Sequence, residues 1–520
     1  MKAKIVCFSL VALFGCGPVF SQSPPGNGYP SLTVERLAAL RVLKINAGTI
    51  TLVDVESSPT WPHARGRPTS GLLNRTMVKI LLQPANGSNI NVEIWLPEPA
   101  QWNGRLLGLG SGGSGGHIFS GILANPSASG YAVATTDLGT APGFNSGDAN
   151  PEVWRDFGYR ATHLMTVAAR QVITAFYGRA PEYAYFSGTD TGGQQGLQEA
   201  QRYPEDYDGI VSNMPAHCRT ALEAYYLWNF QILKQCAFTK AQIANIIAAG
   251  TEYRAAQEIP PIAGKFVSDP RGNQQDIQAV VDLAVQKDPT ITREQAIGLR
   301  KLFEGPCHAV TGERILNGIP FGSDPQAAHS VPYLFEWVFG LNKRLTDINF
   351  GADIDTFTAA LGPYLNAENA DLSAFQKRGG KLLITAGTAD STIPYQATLD
   401  YYERLIEHFG SLERVQSFCE LYLIPGLAHG GGPGINEPPN LLEVIRTWRE
   451  KGTVPGVLTG RRVEGGRTHL NSGTTKLEMP LYPYPTKTGW NSATSTCQPV
   501  DGPRGGVERV AERFRPPAAE

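Results

Sequence analysis

Apolar positions fall into two rhythms along this chain. MVKILLQP at 77–84 and VEIWLPEP at 92–99 are rich in β-formers and bounded by Pro and Asn-Gly, which predicts strands near a sheet edge. RLLGLG at 105–110 and YAVATTD at 131–137 are apolar throughout, as buried strands are. Between Tyr159 and Tyr177 the apolar residues recur at helical spacing, with Gly178 as the stop. EYAYFSG at 182–188 then predicts a strand, and GGQQGLQEAQRYP a helix ended by Pro204. YDGIVSNMPA at 207–216 is the next strand and loop, and residues 22–65 read as a Pro-rich lead-in of strand and loop.

The rhythm changes after that. From 217 to 345 the spacing is chiefly helical, with Thr290 or Thr292 as N-cap and Gly305 as stop for one helix. KLLITAG at 381–387 resumes the sheet, VQSFCELYLIPG at 415–426 supplies its last clear strand, and NLLEVIRTWREKG at 440–452 is an amphipathic helix. Alternating strands and helices predict an α/β fold, a mostly parallel sheet covered on both faces. The helical block then becomes an inserted lid above the carboxyl ends of the strands. The expected division is an export signal at 1–21, a first sheet-bearing part at 22–216, the lid at 217–345, a second part at 346–505 and a loose tail at 506–520.

Composition narrows the function classes. With 45 Lys+Arg against 47 Asp+Glu the charge is balanced, so no polyanion such as nucleic acid is drawn in, and a small molecule is the expected partner. Lys2 and Lys4 precede an apolar run too short to span a membrane, which predicts export to a secreted or periplasmic location. Cys16 in LFGC offers lipid anchoring as the alternative. No later run has the length of a span. Export permits disulfides, but Cys218, Cys236, Cys307, Cys419 and Cys497 are odd in number, so at least one stays unpaired within the chain. No CxxC or tight His/Cys cluster points to zinc, and no cofactor or metal is expected.

Three points carry candidate chemistry. Gly188-Thr189-Asp190-Thr191-Gly192 has the form of an elbow that presents its central side chain over a helix N-terminus. The plain alternative is that Asp190 caps that helix. Asp390 and His429 follow, each just past a strand, in the chain order nucleophile, acid, histidine of α/β-hydrolases. The glycine-rich run 108–116 ends an early strand but matches no phosphate loop. Gly112 and Gly113, with Thr191, are the candidate backbone donors to an oxyanion. Thr189, Tyr225, Tyr226, Trp228 and Trp337 are the candidate substrate contacts, and core packing is the competing role for such aromatics.

WNGRLLGLGSGG (102–113), YAVATTDLG (131–139), GTDTGGQQG (188–196), RYPEDYDGIVSNMPA (202–216) and PGLAHGG (425–431) together resemble the tannase/feruloyl esterase family of α/β-hydrolases. The resemblance implies a lidded hydrolase whose acid and histidine are Asp390 and His429. It also marks departures. The family elbow reads G-C-S-x-G-G, with a serine that attacks an ester and a cysteine bridged to one beside the catalytic histidine. Here Thr189, Asp190 and Gly430 stand at those places. The family's acidic calcium loop corresponds to 257–265, where Gln257, Pro260 and Gly264 replace carboxylates, so the ion is expected to be missing.

An aspartate cannot simply replace the serine, because its attack on an ester gives an anhydride. Carboxylates do attack saturated carbon, and the elbow is similar in this respect to those of epoxide hydrolases and haloalkane dehalogenases. Three readings stay open from sequence. One is a hydrolase with Asp190 as nucleophile or general base and the Asp390–His429 pair activating water. The second is a non-hydrolytic acid/base enzyme (lyase, decarboxylase, isomerase or cyclase), and the third a catalytically inactive ligand-binding homologue.

Overall fold

A computed structural model describes residues 30–514 apart from 62–68, 73, 114, 142, 258–265, 267, 327–331, 465–473, 492, 495, 503 and 506–508. The expected export signal at 1–21 lies outside the described residues. Nine strands form the main sheet: β1 (Gly48–Glu56), β2 (Arg75–Leu82), β3 (Ile90–Pro97), β4 (Arg105–Leu109), β5 (Ala132–Thr136), β6 (Tyr183–Thr189), β7 (Gly209–Asn213), β8 (Lys381–Gly387) and β9 (Cys419–Ile424). Their spatial order is β1-β2-β3-β5-β4-β6-β7-β8-β9. β1, β2, β3 and β5 pair antiparallel in turn, and every pairing from β5 through β9 is parallel.

Consecutive residues of the parallel strands serve opposite faces, as the two-residue period of a strand demands. Leu106, Ala134, Phe186, Ile210 and Leu382 join one core with the helices Ala161–Tyr177, Thr191–Arg202 and Tyr395–Phe409. Leu107, Val133, Tyr185, Val211 and Leu383 join a second core with the helices Gly121–Ala128 and Leu441–Lys451. The chain runs from β4 to β5 on one side, then crosses to β6 on the other. The carboxyl ends of β4 and β6 therefore border the switch point where such sheets open a crevice. That crossing brings the glycine-rich run beside the elbow.

Between β7 and β8 the chain is helical, with Arg219–Gln235, Lys240–Ala256, Gln274–Lys287, Arg293–Glu304, Leu334–Phe339 and Ala352–Leu365. Thr292 is the N-cap that the sequence offered beside Thr290, closing a capping box with Gln295, and Gly305 ends that helix at φ 75°. Two expectations are corrected. The lead-in contains a helix, Pro30–Val42, before β1. Val415 and Gln416 belong to a short helix, Leu412–Gln416, ahead of β9. Beyond β9 lie two hairpins, Leu458–Glu464 with Thr474–Leu481 and Lys487–Asn491 with Thr496–Val500, whose mixed polarity hides them from an apolar-run search. Of the segment expected to be loose, residues 509–514 are described: Val510 and Phe514 are buried and Arg509 pairs with Glu407. No helix among the described residues is long and apolar enough to cross a membrane.

Candidate active site

At the end of β6 the backbone turns sharply at Asp190, with φ 62° and ψ −120°. A side chain held at positive φ carries strain that the surroundings must impose. Glycines impose it here. A Cβ on Gly188 would lie 2.3 Å from the Gly192 carbonyl oxygen, and one on Gly110 would lie 2.6 Å from the Gly192 Cα. The turn and the β4 loop therefore pack backbone against backbone. Three hydrogen bonds hold the bend: Asp190 N–H to Asn213 O (3.1 Å), Gln194 N–H to Asp190 O (3.0 Å) and Ala216 N–H to Asp190 O (3.1 Å).

The Asp190 side chain stands at the N-cap position of the helix Thr191–Arg202 yet makes no capping hydrogen bond to it among the described residues. Its Oδ2 instead accepts from the Gly113 N–H at 2.9 Å. Thr191 grips the same glycine from the other side, its hydroxyl donating to the Gly113 carbonyl. Consecutive elbow residues thus hold both backbone groups of Gly113, which itself sits at φ 63°. Gly112 is half-buried beside it.

Opposite the elbow, Asp390 follows β8 and is fully buried. Its Oδ1 accepts from the N–H groups of Thr392 (2.8 Å) and Ile393 (2.9 Å), and its Oδ2 lies 2.9 Å from His429 Nδ1. This fixes the imidazole and leaves Nε2 as the nitrogen that can exchange a proton with a substrate. Burial opposes a charge on His429. The Asp390 charge and hydrogen bond, followed by the Asp190 charge, outweigh it and raise the imidazole to about 9. A hydrogen bond thus ties His429 to Asp390, and the Asp190 charge adds to the pull that favours the protonated imidazole.

The candidate substrate contacts separate. Tyr226 is buried on the lid helix Arg219–Gln235; burial, then the charge of Asp190, raises its phenol well above the ordinary range, with Arg219 opposing and Glu223 and Asp390 adding. Tyr225 donates its hydroxyl to Ser391 O at 2.6 Å, one residue from Asp390. Thr189 is buried at the end of β6. Trp228 donates its indole N–H to Lys301 O (2.9 Å) and meets Phe350 edge-on. Trp337 is buried edge-on against Phe157, over Gly147.

Sequence reading missed Arg219, Glu223 and Tyr333. Arg219 is buried and donates through Nη1 to Thr191 Oγ1 (2.8 Å), through Nη2 to Tyr333 Oη (2.8 Å) and through Nε to Glu223 Oε1 (3.1 Å). Glu223 is raised to about 7, by burial above all, with the Arg219 charge and hydrogen bond opposing and the Asp190 charge adding. An Arg–Glu pair four residues apart on a helix looks like an ordinary surface pair. Its place directly after the loop of β7 was the available signal.

The expected calcium loop lies outside the described residues from 258 to 265. Of its flank, Asp269 is bound by Arg271 at 2.6 Å and Lys487 at 2.9 Å. The described residues contain one group of three potential metal donors, His163, Glu199 and Asp206. His163 Nδ1 and Asp206 Oδ2 are only 2.6 Å apart, a hydrogen-bond separation shorter than two ligands of one ion keep. Among the described residues no disulfide joins Cys218, Cys236, Cys307, Cys419 or Cys497.

The profile of the family described as tannase and feruloyl esterase matches residues 76–346 and 330–500. A protein of Arthroderma benhamiae named "Probable feruloyl esterase" is 28% identical over 485 residues, covering 85% of this chain and 88% of its own. An uncharacterized esterase of Xanthomonas campestris is 27% identical over 492 residues, covering 81% and 84%. Among solved structures, an esterase from Aspergillus oryzae superposes with a TM-score of 0.78 at 22% identity, over 90% of this chain and all of that one. Tannin acyl hydrolase from Aspergillus niger gives 0.71 at 19% identity, over 93% and 96%. These superpositions establish a shared fold.

Proposed function

The chain belongs to the tannase and feruloyl esterase family, a family of hydrolases acting on small organic molecules, and on that footing we propose that it hydrolyses its substrate through an aspartyl ester. The observation that carries this reading is the 2.9 Å bond from Gly113 N–H to Asp190 Oδ2. It holds one carboxylate oxygen where an oxyanion would be stabilised and leaves the attack to the other. A side chain recruited only as a helix cap would point down at its own helix.

The reaction closes on itself. Asp190 attacks a saturated carbon of an epoxide, the C–O bond of the ring breaks, and the released oxygen takes a proton from His429. Tyr226 suits this acid role poorly, because its phenol is held well above the ordinary range and keeps its proton; it can steady the oxygen by hydrogen bonding. Esterification removes the charge on Asp190, one of the forces that raise His429. The neutral imidazole then takes a proton from water, which attacks the Asp190 carbonyl carbon. The resulting oxyanion faces Gly113 N–H, and collapse releases the diol, the carboxylate and the imidazolium. Halide displacement is less well served, since the Thr191 hydroxyl is buried and occupied by Gly113 and Arg219. The names of the relatives favour an aromatic or apolar substrate.

Many turnovers of styrene oxide in heavy-oxygen water test this reading. Label should enter the Asp190 carboxylate, seen by peptide mapping, and a transient adduct should appear in the intact mass. Rapid hydrolysis with no label on Asp190 overturns the covalent route. The cationic His429 also supports a second reading, proton transfer between Asp190 and His429 without a covalent step. That reading expects neither label nor adduct, and a rate that changes as pH climbs through about 9, where the His429 imidazolium gives up its proton.

A further inference from the structure

We infer that Arg219 is a positioning residue that ties the first turn of the lid to the reacting carboxylate, by way of Thr191 and Gly113. The inference deepens the reading above and rests on it only in taking Asp190 as the reacting group.

The chain of contacts is continuous and directional. Arg219 Nη1 donates to Thr191 Oγ1 at 2.8 Å. A hydroxyl has one proton, and with Arg219 filling a lone pair, the Thr191 proton is left for the Gly113 carbonyl. Gly113 is thereby held by its carbonyl, and its N–H is aimed at Asp190 Oδ2. Without the guanidinium, the Thr191 hydroxyl has other rotamers and acceptors within a turn of its own helix. The loop would then lose the grip that opposes the pull of Asp190.

Arg219 is itself over-determined. Glu223 and Tyr333 bind its other nitrogens, and its guanidinium lies 5.4 Å from the centre of the Phe157 ring. Arg219 is buried and Glu223 and Thr191 are fully so. A guanidinium this committed serves geometry and not substrate capture, because each of its three nitrogens already donates to a fixed partner. Arg219 is also the first residue of the first lid helix, and Tyr333 directly precedes the lid helix Leu334–Phe339. Two lid segments thus converge on one side chain that reaches the elbow.

The test compares R219K, R219M, T191S and T191V in the full chain. Hydrogen exchange of peptides covering 108–117 reads the hold on Gly113 without any substrate. Exchange there should rise about tenfold or more in R219M and T191V, as expected for loss of a buried charge-assisted bond. T191S, which keeps the hydroxyl, should stay within about twofold of the parent. The R219M/T191V double variant should exchange no faster than the single variants, since both break one relay. On styrene oxide R219M and T191V should lower kcat about tenfold with little change in KM, and T191S should not. Unchanged exchange in T191V and R219M, or strictly additive increases, overturns the inference. Should R219M fail to fold, R219K decides, since one ammonium cannot hold Thr191, Tyr333 and Glu223 as the fork does: exchange should rise about threefold or more, and an unchanged rate overturns the inference. If the parent leaves styrene oxide untouched, the proposed reaction loses its support while the exchange result still decides the role of Arg219.

Discussion

Two turns of this molecule end parallel strands in an aspartate, and they treat it in opposite ways. After β8, Asp390 is fully buried and its two oxygens are taken by two backbone N–H groups and an imidazole. After β6, Asp190 is half-buried, bent into positive φ, and bound at one oxygen by Gly113. A carboxylate with every acceptor committed can orient a neighbour but has nothing left with which to react. A carboxylate that is half-buried and held by one oxygen is aimed and still has a lone pair to give. The difference fits the proposed roles, orienter for Asp390 and reacting group for Asp190.

The largest effect expected from this contrast is at Asp190. D190N should lower styrene oxide turnover by about 10³-fold or more, because an amide neither attacks carbon nor completes the proton cycle. Residual turnover near the parent rate would erase the distinction between the turns. D390N should cost about 10²-fold, with the His429 imidazole titrating lower in nitrogen NMR, because the histidine loses its orientation and its nearer charge.

Stability should respond to pH through the pair that Asp390 completes. His429 rises from 6.5 to about 9 on folding. Below 6.5 it is charged in both the folded and the unfolded chain, so its full contribution is present there. That contribution is lost as pH climbs through 9, on the order of 3 kcal/mol at most. The stability difference between the parent and H429Q, measured by urea unfolding, should therefore shrink from pH 6.5 to 9, and a constant difference would remove the electrostatic account of this turn. The smallest effect is expected from G113A. An alanine at φ 63° costs about 1–2 kcal/mol, and the melting temperature should fall accordingly without a change of fold.

Much of this frame was legible in the sequence because it is local. KLLITAG occupies the bounds of β8, and the glycines around Asp190 announce a turn that no Cβ could share. Asp390 and His429 were found by order along the chain, since each follows a strand of one parallel sheet. The helix Pro30–Val42 was missed because a Pro-rich neighbourhood masked a short run, VERLAALRV, with a weak apolar stripe. Arg219 and Glu223 were missed for a deeper reason. Their meaning lies in contacts with Thr191, 28 residues away, and with Tyr333, 114 away, and spacing along a helix carries no trace of either. Aromatic content likewise does not say which way a ring faces: Tyr226 feels both site carboxylates, while Trp228 caps a lid carbonyl.

The absence of disulfides among the five described cysteines has a practical consequence. Cys218 and Cys419 are buried and, through that burial above all, their thiols are pushed well up, so they resist alkylation and oxidation alike. The native state of the described chain leans on no sulfur–sulfur bond. It should therefore tolerate dithiothreitol and be obtainable from a reducing host cytoplasm, a convenience that a scaffold stapled by cystines would deny.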